Sequence, residues 1–419
     1  MSNNTSRARS VDKLPVIAGK APVIRALYEA FYNQRDIPSL RAALFERVAS
    51  NPADAAALMD LSIVLQSLGE AEKAAIHQRA ALEASRIFRI RNGRGTGPNI
   101  LVFVSPGDFM ANTPIEFLLE SSDANILLYY VDSETRDLAD VPEHDVAFVA
   151  IAEAPDKRPV LENLDRLLSD WPGPIMNNSP KRIIELTRDG VAEMFRNEPT
   201  ILAPKTMRVS REQLEKLASG ELAISSIGEL ESLPIIVRPI GTHAGNGLDK
   251  ISTLPELSIY LTAQSEDQFY IAPFIDYSGP DGRFRKQRIA FVDGRPFASH
   301  LAISDHWMVH YLSAGMTEYA ERRAEEAEWM ANFDTDFARR HARAFDALQC
   351  RIGLDYFTID CGELPDGRLL LFEADVAMVV HSMDSEAIFP YKKQAMRKLF
   401  SAFELALQQC VARTKKAQQ

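Results

Sequence analysis

Apolar positions along the chain fall into three regimes. Between residue 21 and about residue 92 they recur with helical spacing. The run "DAAALMDLSIVLQSLGEAEKAAIHQRAALEASRIF" sets Ala and Leu three and four apart. Gly69 interrupts that run and predicts a turn between two helices. Ala74 and Ala81 are small enough to let the two helices approach closely. "RNGRGTGPN", residues 91–99, is a linker by composition. The second regime covers residues 98–180. "NILVFVSP", "NILLYYV" and "DVAFVAIAE" are short runs rich in β-branched and aromatic residues, separated by polar or helical stretches. That alternation predicts a parallel α/β layer. In the third regime, residues 181–410, the strand-like runs are "LPIIVRP", "QFYIAPFI", "RKQRIAFVDGRPF", "LDYFTID" and "RLLLFEAD". A helix beginning near Ser179–Pro180, a helical region over 322–350 and the helical tail "SAFELALQQCVA" accompany them, which makes this part α+β. Residues 1–20 read as disordered and 411–419 as a tail.

Composition narrows the class. A chain of 419 residues is long enough for two or three domains. Its 58 acidic against 47 basic residues give a net charge of -11, which disfavours non-specific binding to nucleic acid or anionic membrane. Cys350, Cys361 and Cys410 lack metal-ligand spacing, and so few cysteines suit a reducing compartment. The polar start "MSNNTSRARSVDKLP" carries no signal-peptide core, and no apolar run approaches the roughly 18–20 residues of a membrane span. A cytoplasmic protein is expected.

Candidate chemistry lies in the third regime. In "YFTIDCGELPDGRLLLFEAD" two strands flank the turn signal "PDG". Glu373 and Asp375 are two apart and share a face, and the hairpin can bring Asp360 beside them. Three converging carboxylates are expected to hold Mg²⁺, with a solvated strand face as the plain alternative and Asp355 as a second candidate for the first ligand. Upstream, "IVRPIGTHAGNGL" follows a strand with three glycines, Gly241, Gly245 and Gly247, whose backbone can cradle phosphate. Arg238 can grip the same phosphate with its fork of donors. No Walker pattern is present. "DGRFRKQR" sets Lys286 and Arg288 on one strand face and Arg283 and Arg285 on the other, so the first pair is expected to bind an anion unless the strand is a charged, solvated edge. "RRAEEAE", residues 322–328, reads as an exposed helix face.

Taken in order, these motifs resemble the ATP-grasp superfamily of carboxylate–amine ligases, which includes glutathione synthetase, D-alanine–D-alanine ligase and ribosomal-protein glutamate ligase. The resemblance covers roughly residues 98–410. It implies a small parallel α/β subdomain over 98–180, preceding a two-lobed ATP-grasp domain over 181–410. It implies ATP and Mg²⁺ as cofactors. Gly241, His243, Gly245 and Gly247 would lie in the loop over the triphosphate. Tyr270 and Ile271 would lie on the strand that bonds adenine through its backbone, and Asp276 near the ribose. Arg288, with Lys286, would bind the transferred phosphoryl group, and Asp360, Glu373 and Asp375 would bind metal. The sequence departs from the family in several places. Arg238 stands where a lysine is usual, Asp375 where an asparagine is, and Gly190 near the place of a second phosphate lysine, whose role falls to Arg188 or Lys205.

The implied reaction phosphorylates a carboxylate and couples it to an amine, on a small-molecule or peptide substrate. "SHLAISDHWMVHYL" would then supply substrate contacts through His306 and His310, and His381 would face the substrate from the loop after the metal hairpin. If the segment were helical, His306 and His310 would share a face and could instead hold Zn²⁺. His243 would touch phosphate or only solvent. In the helical region, Leu61, Gly69, Ala74, Ala81 and Leu82 resemble one tetratricopeptide unit, which would serve packing, a homodimer or docking of a protein partner. The alternatives to a ligase are a non-catalytic ATP-binding regulator and a protein-interaction scaffold built on the helical region.

Overall fold

The structure, a computed structural model, describes residues 10–21, 23, 37–228, 230–242 and 245–417. The described N-terminal part includes the helices α1 (Ile37–Ser50), α2 (Ala55–Ser67) and α3 (Ala71–Ala84). Asp54 caps α2 by accepting the Ala57 N–H. Gly69, at φ 76°, makes the turn into α3, and Ala74 and Ala81 are buried where the pair meets. This is the expected hairpin. Of the expected disordered start, residues 1–9 lie outside the described residues, but residues 10–20 are ordered. Residues 11–13 form a 3₁₀ turn, Leu14 and Ile17 are buried, and Val16 bridges Arg89 of the first sheet, contacts with distant segments that the polar local sequence did not reveal.

The first sheet contains β1 (Ile87–Arg91), β2 (Asn99–Val104), β3 (Asn125–Tyr130), β4 (Val146–Val149) and β5 (Ile175–Met176), in the order β1-β3-β2-β4-β5. The short helix α4 (Ile115–Leu118) follows β2, and α5 (Arg158–Leu167) follows β4. β2 to β5 are parallel, as the alternating pattern predicts, while β1 lies antiparallel on the edge against β3. β1 corrects the helical reading of residues up to 92. "IFRIR" is too short to show its own period, and pairing with β3 decides its conformation. Both sheet faces are covered. Ile100, Val102, Ile126 and Leu128 share a core with Leu58, Met59 and Leu65 of α2, whereas Leu101, Phe103, Leu127 and Val149 pack with Leu161 and Leu164 of α5. The helical hairpin thus buries its apolar side on this sheet.

Next come α6 (Pro180–Ile184) and α7 (Arg188–Met194), two short helices where one was expected. Thr187 separates them by capping α7 through its hydroxyl, which accepts the Gly190 N–H at 3.0 Å. After β6 (Ile201–Leu202), a four-stranded antiparallel sheet forms from β7 (Met207–Ser210), β8 (Ile235–Pro239), β9 (Asp249–Ile251) and β10 (Gln268–Pro273), in the order β7-β10-β8-β9. Helices α8 (Arg211–Ala218) and α9 (Leu254–Ala263) close its own core around Leu214, Val237, Leu257 and Phe269.

The third sheet holds β11 (Phe284–Val292), β12 (Arg295–Ser304), β13 (Tyr356–Glu363) and β14 (Leu369–Asp375), in the order β12-β11-β13-β14-β6. Helices α10 (Ala320–Asn332), α11 (Phe337–Arg340) and α12 (Ala342–Ile352) join β12 to β13, and α13 (Lys392–Ala417) ends the fold. Odd positions of β11 and β13, among them Ile289, Phe291, Phe357 and Ile359, join Phe345 and Leu348 of α12. Even positions Ala290, Val292 and Tyr356 pack under α13. The residues expected to expose a helix face do not all do so: Arg322 and Glu326 are buried in α10. Arg322 donates to the Ile303 carbonyl at 3.0 Å and to Asp305 at 2.6 Å, so tertiary partners override its polar pattern.

Phe403 of α13 ties two sheets together. It is fully buried and lies 5.6 Å from the Phe148 ring of β4 and 5.4 Å from the Tyr356 ring of β13. Phe403→Ala is expected to cost about 3–5 kcal/mol, read as a lowered midpoint in denaturant unfolding.

Candidate active site

Toward their cavity end, the even positions of β11 turn polar. Lys286 and Arg288 continue the face of Ala290, but they open onto a cavity of about 700 Å³ instead of packing under α13. Directly opposed across four strands are His300 of β12, Arg288 of β11, Asp360 of β13 and Glu373 of β14. With strands ~4.8 Å apart, this row spans roughly 14 Å. Two bulges bracket it. The register shifts between Arg288 and Ile289 and again between Asp360 and Cys361, leaving Ser299 and Phe372 without ladder partners. Both line the cavity, as expected of bulges that re-aim side chains at a site.

Asp360 anchors the row. Arg288 donates from Nε to Oδ1 at 2.7 Å and from Nη2 to Oδ2 at 3.0 Å, and Lys286 Nζ donates to Oδ2 at 3.0 Å. Burial alone would raise the Asp360 carboxyl, but the charges of Arg288 and Lys286 outweigh it and hold the group well below the usual carboxylate range. Arg288 also donates to the Val379 carbonyl at 3.1 Å. Glu373 pairs with Arg188 of α7 at 2.9 Å, and this charge wins over burial to keep Glu373 ionised. Asp375 differs. Burial, then the neighbouring Glu373, pushes its carboxyl up to about 7, although it accepts the Val376 N–H at 2.6 Å.

The facing wall comes from the second sheet. Arg238 of β8 is buried and lines the cavity, and among the described residues no carboxylate pairs with it. It donates to the hydroxyl of Thr242 at 3.2 Å and to the Thr242 carbonyl, while its Nε has no partner among the described residues. Burial, then Arg188, lowers it to about 10, so it stays charged at neutral pH. Tyr270–Phe274 line the same cavity, together with the apolar residues Ile236, Leu248 and Leu371. The β7 ladder ends at Ile271, so β10 runs past it to Pro273 at the cavity. Gly241, Gly245 and Gly247 all have positive φ, at 81°, 78° and 65°. Gly245 lines the main cavity, and Gly241 lines a small recess beside it with Glu153 and Asp375. Gly247 instead packs tightly: an added Cβ would lie 2.6 Å from Pro239. His243 lies outside the described residues.

The structure therefore gathers Lys286, Arg288, Arg238, Gly245, Tyr270, Ile271, Asp360, Glu373, Asp375, His310 and His381 around one cavity. The other described candidates do not line it. Lys205 lies between the lining residues Pro204 and Thr206 without lining the cavity itself. Asp276 turns back to accept the Ser278 N–H at 2.9 Å. His306 accepts the Met308 N–H at 3.2 Å and stays out of the lining. Residues 305–310 are not helical, so His306 and His310 do not form the helical pair that Zn²⁺ would need. Asp355 accepts the Asn177 N–H at 2.7 Å, far in the ladder from Asp360, and is not a ligand in the row. Among the described residues no group of three or more His, Cys, Asp or Glu is arranged to hold a metal ion. Asp360, expected as the first metal ligand, has both oxygens engaged by Lys286 and Arg288. Glu373 and Asp375 still fit a hard cation by donor type: both are carboxylates on one strand face that opens onto the cavity.

Several lining residues escaped the sequence reading. Lys392 of α13 is buried, donates to Asp384 at 2.9 Å, and sits 4.0 Å above the Tyr311 ring. Glu326 stands behind it and accepts from Tyr391 at 2.6 Å and Tyr311 at 3.0 Å. Nothing local in "YKKQ" marks Lys392, because its partners lie 8 and 81 residues away. Arg188 was legible only as a stand-in for a missing lysine. The structure gives the reason that Gly190 is glycine: a Cβ there would meet the Glu185 carbonyl at 2.3 Å.

Comparison with solved structures finds similarity to D-alanine–D-alanine ligase from Bacillus anthracis complexed with ATP, at 13% identity and a TM-score of 0.46, covering 77% of this chain and 99% of that one. D-alanine–D-alanine ligase from Coxiella burnetii is similar at 11% identity and a TM-score of 0.45, over 77% of this chain and 97% of that one. A RimK domain ATP-grasp protein from Sphaerobacter thermophilus is similar at 11% identity and a TM-score of 0.40, over 74% and 99%. No family model matches the chain, and no curated protein matches it.

Asp375 makes a signed prediction. Its folded pKa is raised, so the folded state holds more protons than the unfolded state between the ordinary value of 3.8 and about 7, and stability falls as pH rises through that window. In chelator, Asp375→Asn should raise the unfolding midpoint at pH 8 and give little or no gain at pH 4, with a gain of at most about 4 kcal/mol.

Proposed function

We propose that this chain is an ATP-dependent carboxylate–amine ligase of the ATP-grasp kind. The observation that carries this reading is Arg238, a buried guanidinium without a carboxylate partner among the described residues. It faces the cavity across from the row Arg288–Asp360–Glu373. A buried cation of this sort requires an anion. The glycine loop, with Gly245 at the lining, offers backbone N–H groups to the same anion. The cavity beside β10 suits a planar base, which the backbone at Tyr270–Pro273 would hold. A nucleoside triphosphate satisfies all three requirements.

In this reading the γ-phosphoryl group lies toward Arg188 and Glu373, and Arg288 and Lys286 take up charge as it moves to a substrate carboxylate. When bound, Mg²⁺ would be held by Glu373 and Asp375 and would neutralise phosphate charge there. Asp360 fixes the angle of Arg288 through two hydrogen bonds, so the guanidinium is aimed before substrate arrives. The acyl phosphate must be shielded from water, and the glycine loop would cover it. An amine then displaces phosphate to give an amide. The substrates would be small molecules or short peptides that fit the His310 and His381 end of the cavity. The helical hairpin is assigned to packing, since it shares a core with the first sheet.

Mg-ATP should raise the thermal unfolding midpoint of the full chain, and chelator should remove most of that rise. Wild type, offered carboxylate and amine panels, should release ADP and phosphate. Glu373→Gln should lower the rate at least about 100-fold in a chain that still unfolds cooperatively, with some fall in the midpoint because Arg188 loses its partner. No midpoint shift at millimolar nucleotide would remove the reading.

A further inference from the structure

His300 is the residue of the four-strand row that the ligase reading leaves without a role. It sits directly opposite Arg288, at the far end of the row from Glu373. Its ring lines the cavity and packs on Tyr311 at 4.6 Å. Tyr311 is itself pinned, by donating to Glu326 and by Lys392 lying over its ring. Neither ring nitrogen of His300 has a hydrogen-bond partner among the described residues. The other imidazoles at this end differ. His381 already accepts the Met383 N–H at 3.1 Å, and His310 sits on irregular chain before a 3₁₀ turn. His300 alone stands on a strand, beside the arginine assigned to the transferred phosphoryl group, with an open lone pair.

We propose that His300 is the general base that deprotonates the attacking amine. The inference rests on the ligase reading. An amine of ordinary basicity arrives as R–NH₃⁺ and cannot attack. The His300 lone pair takes one proton, and the freed nitrogen lone pair forms the C–N bond at the acyl carbon. The C–O bond to phosphate breaks, and its electron pair leaves with phosphate. The second nitrogen proton goes to the departing phosphate, which leaves as HPO₄²⁻, and the imidazolium returns its proton to solvent. Atoms and charge balance with no further reagent.

The surroundings favour a neutral ring before reaction. Burial is the largest influence, followed by Arg288, and together they hold His300 well below its ordinary value. Asp360 acts in the opposite sense, while Lys392 and Lys286 add to the lowering. Bound phosphates bring negative charge next to these cations and restore basicity when the proton must be taken.

Hydroxylamine separates the roles, because it is largely unprotonated at neutral pH and needs no base. With Mg-ATP and a panel of amino acids and dipeptides as carboxylates, wild type should form hydroxamate. His300→Gln should lose about 100-fold in rate with methylamine or an amino-acid amine at pH 7, and less than tenfold with hydroxylamine. The loss with ordinary amines should shrink as pH rises toward 9.5. Hydroxamate formation also shows that the variant is folded. Equal losses with both amine classes, or a loss with methylamine that does not change with pH, would overturn the base assignment while leaving the ligase reading standing. A wild type that forms no hydroxamate with any carboxylate would remove the ligase reading, and this inference with it.

Discussion

The site is organised around one buried ion pair, Arg288 with Asp360. Asp360 is only 4% exposed, and a carboxylate there is tolerable because three charged hydrogen bonds meet its two oxygens. The same bonds hold the guanidinium in one plane on the middle strands of a five-stranded sheet. His300 and Glu373 stand in register on either side of the pair. Without Asp360, the half-buried cations Arg288 and Lys286 would lose the carboxylate between them and the row its fixed centre.

The fold meets this demand by dividing a single sheet face. At one end of β11 and β13 the even positions are Ala290, Val292 and Tyr356, sealed by α13. At the other end they are Lys286, Arg288 and Asp360, left open to the cavity. The opposite wall belongs to a separate sheet with its own core around Val237 and Phe269. Rigid strands thus carry the groups that would act on the reacting atoms, while the glycine turns sit on the smaller sheet. That division suits a site that must admit a nucleotide and then exclude water.

Much of this was legible in the sequence where local period decides structure. Alternation in "RKQR" correctly put Lys286 and Arg288 on one face, and "PDG" correctly marked the hairpin that sets Asp360 opposite Glu373. Its failures share a cause, which is contact between distant segments. "IFRIR" became an edge strand because β3 was available, and Arg322 was drawn inward by the Ile303 carbonyl. Lys392, Tyr311 and Glu326 form one buried cluster from three separated stretches of chain, so no local motif could reveal it. Asp360 was read as a metal ligand because the hairpin brings it beside Glu373 and Asp375. Its commitment to two cations depends on a neighbouring strand whose register the sequence did not give.

The central claim is that the row across β12, β11, β13 and β14 moves a phosphoryl group onto a carboxylate. The most direct test follows oxygen. With ¹⁸O in the carboxylate of a substrate pair that supports turnover, released phosphate is examined by mass. The account predicts one ¹⁸O carried into each phosphate, because the carboxylate oxygen becomes the bridging atom of the acyl phosphate and leaves with phosphorus. Turnover that yields phosphate free of ¹⁸O would contradict the account.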